Sequence, residues 1–334
     1  MMKAILNQLF EHKPLTKEQA TDVIHRIAGG GCNQSQIAAF LAVYMLRPIT
    51  VSELEGFRDA LLGLCLKIDL SDFETIDLCG TGGDSKNTFN ISTLASFVTA
   101  GAGVKVAKHG NYGVSSISGS SNVMEFLGYR FTNKEEVLKQ QLDRSGICFM
   151  HAPLFHPAMK MVAPVRKELG MRTFFNMLGP LVNPSFPNYQ LTGVFNLELS
   201  RLYHYLLQQT ERSFLLVHSL DGYDELSLTA GFKLISRAKE ELLFPADIGL
   251  PSYTQAELAG GETMEESAKL FLKILNGQGT PAQNDVVCAN AGLAIQCVSS
   301  ERSIPDAVAL ARESLLSKKA YTVFKKLLEH EYTV

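Results

Sequence analysis

What limits the fold of this chain most is a change of hydrophobic period at Thr75. Before it, apolar positions recur at helical spacing and no strand-like run occurs. Thr16 and Gln19 make a capping-box pair ahead of Ala20, Val23, Ile24 and Ile27, and Gly29 to Gly31 stop that helix. Ser52 and Glu55 repeat the pair ahead of Leu54, Phe57, Leu61 and Leu62. From Thr75 onward, short apolar runs alternate with helical stretches. "TIDLC", "VKVAKHG", "YQLTGVFN" and "SFLLVHSL" are separated by "NISTLASFVTAGAG", "NVMEFLG" and "LSRLYHYLLQQ". That order predicts βαβ units. The fold class is therefore α/β: a small all-helical domain plus a larger α/β domain with a mainly parallel central sheet. Residues 153–187 show helical spacing broken by prolines and read as an excursion back to the first helices. The division is then 1–70 with about 163–184 for the helical domain, and 73–162 with 185–334 for the α/β domain. The end, from Glu262, reads as helices.

Composition excludes several classes of function. With 46 % hydrophobic and 19 % charged residues among 334, the chain can bury a core. Its net charge is −3 and no basic tract occurs, so small ligands are favoured over nucleic acid or anionic lipid. Six cysteines form no CxxC pair and have no histidine at zinc spacing; most sit in apolar stretches, as reduced thiols of a cytoplasmic protein do. The N-terminus makes a poor signal peptide. The longest apolar run, "IAAFLAVYML" from Ile37, is about half the ~20 residues a membrane span needs, and reads as a buried helix.

Ligands of parallel sheets bind at the carboxyl ends of the strands, and two unusual loops stand there. The first, "GTGGDSKNTFNIST" (80–93), fails the GxxxxGK[ST] pattern at Ser85 and Asn87 and the GxGxxG pattern at Ser85. It is either a tight turn with a helix cap or an anion cradle. Thr88, Asn90, Ser92 and Thr93 are more short polar groups than a cap needs. The second, "KHGNYGVSSISGSS" (108–121), offers one ammonium and many hydroxyl and amide groups, a set suited to phosphate or diphosphate. Asp224 and Glu225 in "DGYDELSL" are adjacent carboxylates after a strand. They fit either a solvated turn or Mg²⁺, which takes one or two carboxylates plus phosphate oxygens. Arg166 suits a carboxylate, though spacing alone does not select it over Arg172 or Lys167.

These pieces in this order resemble the anthranilate phosphoribosyltransferase family, across nearly the whole chain. The likeness rests on "GTGGD" (80–84), "NTFNIST" (87–93), "KHGN" (108–111), "SGSS" (118–121), "APVR" (163–166), "RTFFNMLGPLVNP" (172–184) and "DGYDE" (221–225). The resemblance implies a nucleoside phosphorylase/phosphoribosyltransferase-like fold whose helical domain forms a homodimer and whose α/β domain is catalytic. It implies transfer of the phosphoribosyl group of 5-phosphoribosyl 1-diphosphate (PRPP) to the amine of anthranilate, the second step of tryptophan biosynthesis from chorismate. Carried over by position, PRPP meets Gly80, Gly83, Asp84, Thr88, Asn90, Ile91, Ser92, Thr93, Lys108, His109, Gly110, Asn111, Tyr112, Gly113, Val114, Ser115, Ser116 and Ser120. Anthranilate meets Gly80, Asn111 and Arg166. Ser92, Asp224 and Glu225 hold Mg²⁺, as two ions per subunit. No general base is assigned. Asp84 would accept from a ribose hydroxyl or from a metal-bound water. Two positions depart from the family pattern: Tyr112 replaces a common Arg, and Ser85 a common Gly. A pyrimidine nucleoside phosphorylase of the same fold and a non-catalytic nucleic-acid-binding relative are the competing readings.

Overall fold

The computed structural model describes residues 2–113 and 118–329. Val114, Ser115 and Ser116 of the second loop lie outside the described residues. The chain forms two compact units, Met1–Ile68 with Ala152–Phe186, and Asp69–His151 with Pro187–Val334.

The first unit is helical. Its main helices are Met2–Phe10, Lys17–Ala28, Gln34–Leu46, Val51–Leu64 and Ala163–Leu169. The Thr16–Gln19 capping box forms with both of its hydrogen bonds, and Asn33–Gln36 makes another. The Ser52–Glu55 pair does not cap: the fourth helix starts two residues earlier, on Thr50 with Glu53. Glu53 is held there because its carboxylate also accepts from Leu15 N–H and Tyr44 Oη and pairs with Arg47. The apolar run from Ile37 is indeed a helix, with Phe40 and Leu41 wholly buried. Phe40, Tyr44, Phe57 and Phe174 make the aromatic centre of the unit, with the rings of Phe57 and Phe174 stacked at 4.5 Å. Fully burying each such ring contributes roughly 1.5–3 kcal/mol.

The second unit is built on a seven-stranded sheet in the order β3-β2-β1-β4-β5-β6-β7. The strands are β1 (Thr75–Gly80), β2 (Lys105–Gly110), β3 (Ile147–His151), β4 (Tyr189–Gly193), β5 (Ser213–Ser219), β6 (Phe232–Ile235) and β7 (Glu240–Leu243). The first five run parallel, and β6 and β7 add an antiparallel margin. Helices Ile91–Gly101, Ser120–Phe126, Glu135–Ser145 and Leu197–Gln208 connect the parallel strands. Pro281–Val298 is buried on nearly every side, which fits its mainly apolar run from Val286 to Ile295. The chain leaves β1 toward β2 and β3 on one side, and continues from β4 to β5 on the other. The order reverses between β1 and β4, and a crevice opens at their carboxyl ends. All six cysteines are free thiols. Among the described residues no helix is long and apolar enough to cross a membrane.

Candidate active site

The crevice is set by two glycines. Gly80 ends β1, Gly193 ends β4, and the two are paired in register. A Cβ on Gly80 would lie 2.2 Å from Asp224 Oδ2, and one on Gly193 would lie 1.6 Å from Asp224 O. Any side chain at either place would expel the turn after β5. Without side chains there, Asp224 and Glu225 settle against the strand ends. Ser219 Oγ donates to Glu225 O at 2.7 Å. Asn290, on the buried helix Pro281–Val298, clamps the next residue by accepting from Leu226 N–H at 3.1 Å and donating to Leu226 O at 2.8 Å. Asn290 escaped the sequence reading. Its signal was a lone amide in the apolar run "VVCANAGLAI".

The first loop closes over these acids. Gly82 N–H donates to Asp224 Oδ2 at 2.6 Å, and Ser92 N–H, in the first turn of Ile91–Gly101, donates to Glu225 Oε1 at 3.0 Å. Gly82 and Gly83 take φ of +68° and +94°, and Ser85 takes +60°. The departure at 85 thus puts serine in the left-handed conformation that glycine adopts most readily. Asp84 Oδ1 accepts from Lys86 N–H at 3.0 Å, a local turn, while the Asp84 carboxylate faces Asp224. Burial, then the Asp84 charge, push Asp224 up to about 7 against the pull of Gly82 N–H. Burial and the charges of Asp224 and Asp84 raise Glu225 well above the carboxylate range, opposed by Ser92 N–H and Lys108. Thr81, 7 % exposed, has a hydroxyl with no hydrogen-bond partner among the described residues.

Lys108 lies within the sheet, 1 % exposed, with Nζ donating to Leu78 O at 2.5 Å. Burial lowers its pKa, and the charges of Asp77 and Glu225 oppose that. His109 is also buried, and its N–H donates to Asp77 Oδ1 at 3.1 Å. Asn90 ties the two loops together: its Nδ2 donates to Ser118 O at 2.8 Å, and Ser118 Oγ donates back to Asn90 Oδ1 at 3.1 Å. Ile91 and Thr93 are buried, so they bring helix backbone rather than side chain. Thr88 bridges to Ala259. Asn111 O accepts from Ser120 Oγ at 3.2 Å, and Gly110 packs against Phe149 and Ser120. The sheet unit therefore gathers Gly80, Ser92, Asp224 and Glu225 along one cleft, with Gly193 and Asn290. Arg166 belongs to the helical unit, where it is half-buried and donates to Asn176 Oδ1 at 3.2 Å. Burial lowers its pKa.

The helical unit and the sheet unit, with its switch-point cleft, correspond to the two domains of a glycosyl transferase family. Residues 3–65 match the helical bundle domain of the glycosyl transferase family, and residues 72–321 match its a/b domain. The chain belongs to the anthranilate phosphoribosyltransferase family. It is 61 % identical over 326 residues to the enzyme of that name from Flavobacterium psychrophilum, covering 98 % of both chains. It is 57 % identical to the one from Cytophaga hutchinsonii, covering 98 % of this chain and all of that one. Among solved structures, the anthranilate phosphoribosyltransferase from Thermus thermophilus superposes with a TM-score of 0.89 at 34 % identity, over 97 % of this chain and 98 % of that one. The Saccharomyces cerevisiae enzyme in complex with PRPP and Mg shares the fold, with a TM-score of 0.89 at 24 % identity over 98 % and 97 %.

Proposed function

We infer that the chain transfers the phosphoribosyl group of PRPP to the amine of anthranilate, giving N-(5-phosphoribosyl)anthranilate and diphosphate, the second step of tryptophan biosynthesis. Identity above half over the full length of named relatives supports the reaction. The observation that carries the site is the Asp224–Glu225 turn seated on the Gly80–Gly193 pair, opposite the first loop and the Ile91–Gly101 N-terminus.

The donor set fits Mg²⁺. Burial and the charge of neighbouring carboxylates raise the proton affinity of Asp224 and Glu225, a conflict that a divalent cation relieves. Among the described residues no group of three or more His, Cys, Asp and Glu is placed to hold a metal ion, so protein groups alone would not complete the site. An open site of one or two carboxylates, completed by phosphate oxygens and water, is the arrangement Mg²⁺ uses. Asp224, Glu225 and the Ser92 hydroxyl would hold it, as two ions per subunit. When bound, the ion neutralises charge on the diphosphate.

The chain's own work is positioning. As the C1–oxygen bond breaks, negative charge grows on the diphosphate and positive charge on the ribose carbon. Gly80, Gly83, Asp84, Thr88 and Asn90 to Thr93 on one loop, and Lys108 to Ser116 with Ser120 on the other, hold the donor so that C1 faces the incoming amine. Buried Lys108 lends positive charge beneath Glu225. The Thr81 hydroxyl, with no partner among the described residues, adds a donor on the same loop. Gly80 and Asn111 meet anthranilate, and Arg166 takes its carboxylate. An aromatic amine is largely unprotonated at neutral pH, so no general base is assigned. The working form in this reading is a cytoplasmic homodimer joined through the helical unit, where Phe10 and Leu46 are exposed.

The test is incubation with anthranilate, PRPP and Mg²⁺, following loss of anthranilate fluorescence. Metal-dependent loss supports the reading. No loss, with phosphorolysis of uridine or thymidine instead, overturns it.

A further inference from the structure

Tyr112 stands in the second loop, yet its side chain turns back to the protein. Its hydroxyl lies 3.2 Å from both oxygens of Glu125, on the helix Ser120–Phe126. Its ring meets the His151 ring edge-on at 4.6 Å, and Phe131 stacks on His151 at 4.7 Å. His151, at the end of β3, is fixed in turn by Ser121 Oγ, 2.9 Å from its Nδ1. The same helix holds the backbone on either side of Tyr112. Ser121 N–H donates to Asn111 O at 3.1 Å, and Asn122 Oδ1 accepts from Gly113 N–H at 2.9 Å. Between these ties, Tyr112 N–H donates to Asn111 Oδ1 at 2.8 Å.

The last bond sets the orientation of the Asn111 amide. With its oxygen engaged by the Tyr112 peptide, the Nδ2 hydrogens become the groups it can offer a ligand. The Tyr112 side-chain anchor adds to the two backbone ties at Asn111 and Gly113 in fixing the orientation of that peptide. We propose that Tyr112, latched by Glu125 and His151, is a positioning residue that aims the Asn111 amide at the substrate and so tightens PRPP binding. It does this as a neutral donor to a carboxylate, where a cation would be the simpler choice beside a diphosphate. The proposal rests on the reading of Lys108 to Gly113 as part of the PRPP site.

The experiment uses the full chain, with PRPP affinity measured calorimetrically in the presence of Mg²⁺, steady-state kinetics and thermal melts. Tyr112→Phe removes only the hydroxyl, and Glu125→Ala removes its acceptor. Each is expected to raise the PRPP Kd and KM about 5- to 10-fold, the effect of one ordinary hydrogen bond, with kcat within about twofold and Tm within about 2 °C of the parent. The double variant should be no weaker than the weaker single. Glu125→Gln, which keeps an acceptor, should return to within about twofold, and Tyr112→Phe added to Asn111→Ala should change nothing further. PRPP affinity unchanged in both singles, or effects that multiply in the double or in the Asn111→Ala background, overturn the latch while leaving the PRPP site intact. Failure of the unmutated protein to bind PRPP would overturn the functional reading and the latch with it.

Discussion

Gly193→Ala adds one methyl group where the structure leaves no room. The new Cβ would sit 1.6 Å from Asp224 O and 2.4 Å from its carbonyl carbon, where real Cβ atoms keep at least 3.0 Å. Either β4 or the Asp224–Glu225 turn must yield by about 1.4 Å, and a misplacement near 1 Å costs on the order of 10²-fold in rate. β4 is paired on both sides, with β1 and β5. The turn is held by Asn290 and Ser219, so the displacement is resisted and strain adds about 1–3 kcal/mol. Initial rates by anthranilate fluorescence across a Mg²⁺ titration should show kcat/KM for PRPP lowered about 100-fold and half-saturating Mg²⁺ raised about tenfold or more, because the acids have moved. Melting should fall by a few degrees without loss of the cooperative transition. Gly63→Ala is the control: Gly63 lies inside the helix Val51–Leu64 with nothing within 4 Å of a Cβ, so it should gain about 0.4–1 kcal/mol and keep full activity. Near-parental turnover and unchanged Mg²⁺ dependence in Gly193→Ala would refute the claim that this glycine seats the acids.

Three further outcomes follow from particular residues. Arg166→Ala should raise the anthranilate KM at least about tenfold and the PRPP KM far less, as loss of a bidentate carboxylate partner does; equal effects on both would remove its assignment. Gly82→Ala has room for its methyl group but holds φ at +68°, so the penalty is torsional, about 1–2 kcal/mol, and should appear as a lower Tm and weaker PRPP binding; a variant as stable as the parent contradicts this. In the helical unit, burial pushes Glu53 up, but Arg47 and the N–H groups of Leu15 and Thr50 prevail and its pKa is lowered from 4.5. A carboxyl depressed by folding contributes stability above its unfolded pKa and loses it as pH falls through the lower folded value. Stability should therefore decline in the acid range below about pH 4.5. Glu53→Ala should flatten that limb and cost about 3–5 kcal/mol at neutral pH, since Arg47 is left without its partner; an unchanged acid melt would refute it.

What the sequence carries is local, and the site is assembled by register. The runs "TIDLC", "VKVAKHG", "YQLTGVFN" and "SFLLVHSL" announce β1, β2, β4 and β5 because each is a short, largely apolar and β-branched run bounded by loop residues. β3, "ICFMH", has the same character but follows the preceding helix after the single cap Gly146, with no loop between. β6 and β7, four residues each, are too short for a period, and β7 opens with two glutamates. The glycine loop, the second loop and the acidic pair were each visible in one stretch of chain. Gly193 was not: "LTG" reads as a strand ending, and nothing near it in sequence speaks of Asp224. Its meaning comes from the pairing of β4 with β1, which sets Gly193 beside Gly80, far away along the chain, and opens a slot two glycines wide. Asn290 and Glu125 are invisible for the same reason, since each acts on backbone or hydroxyl groups that only the fold brings near. Asp84 illustrates the same point in reverse. Beside phosphate loops an acid looks misplaced, but in the folded unit it faces Asp224, and its charge adds to burial in raising the Asp224 pKa. The acid in the first loop is therefore intelligible only once β1, β4 and the turn after β5 have met.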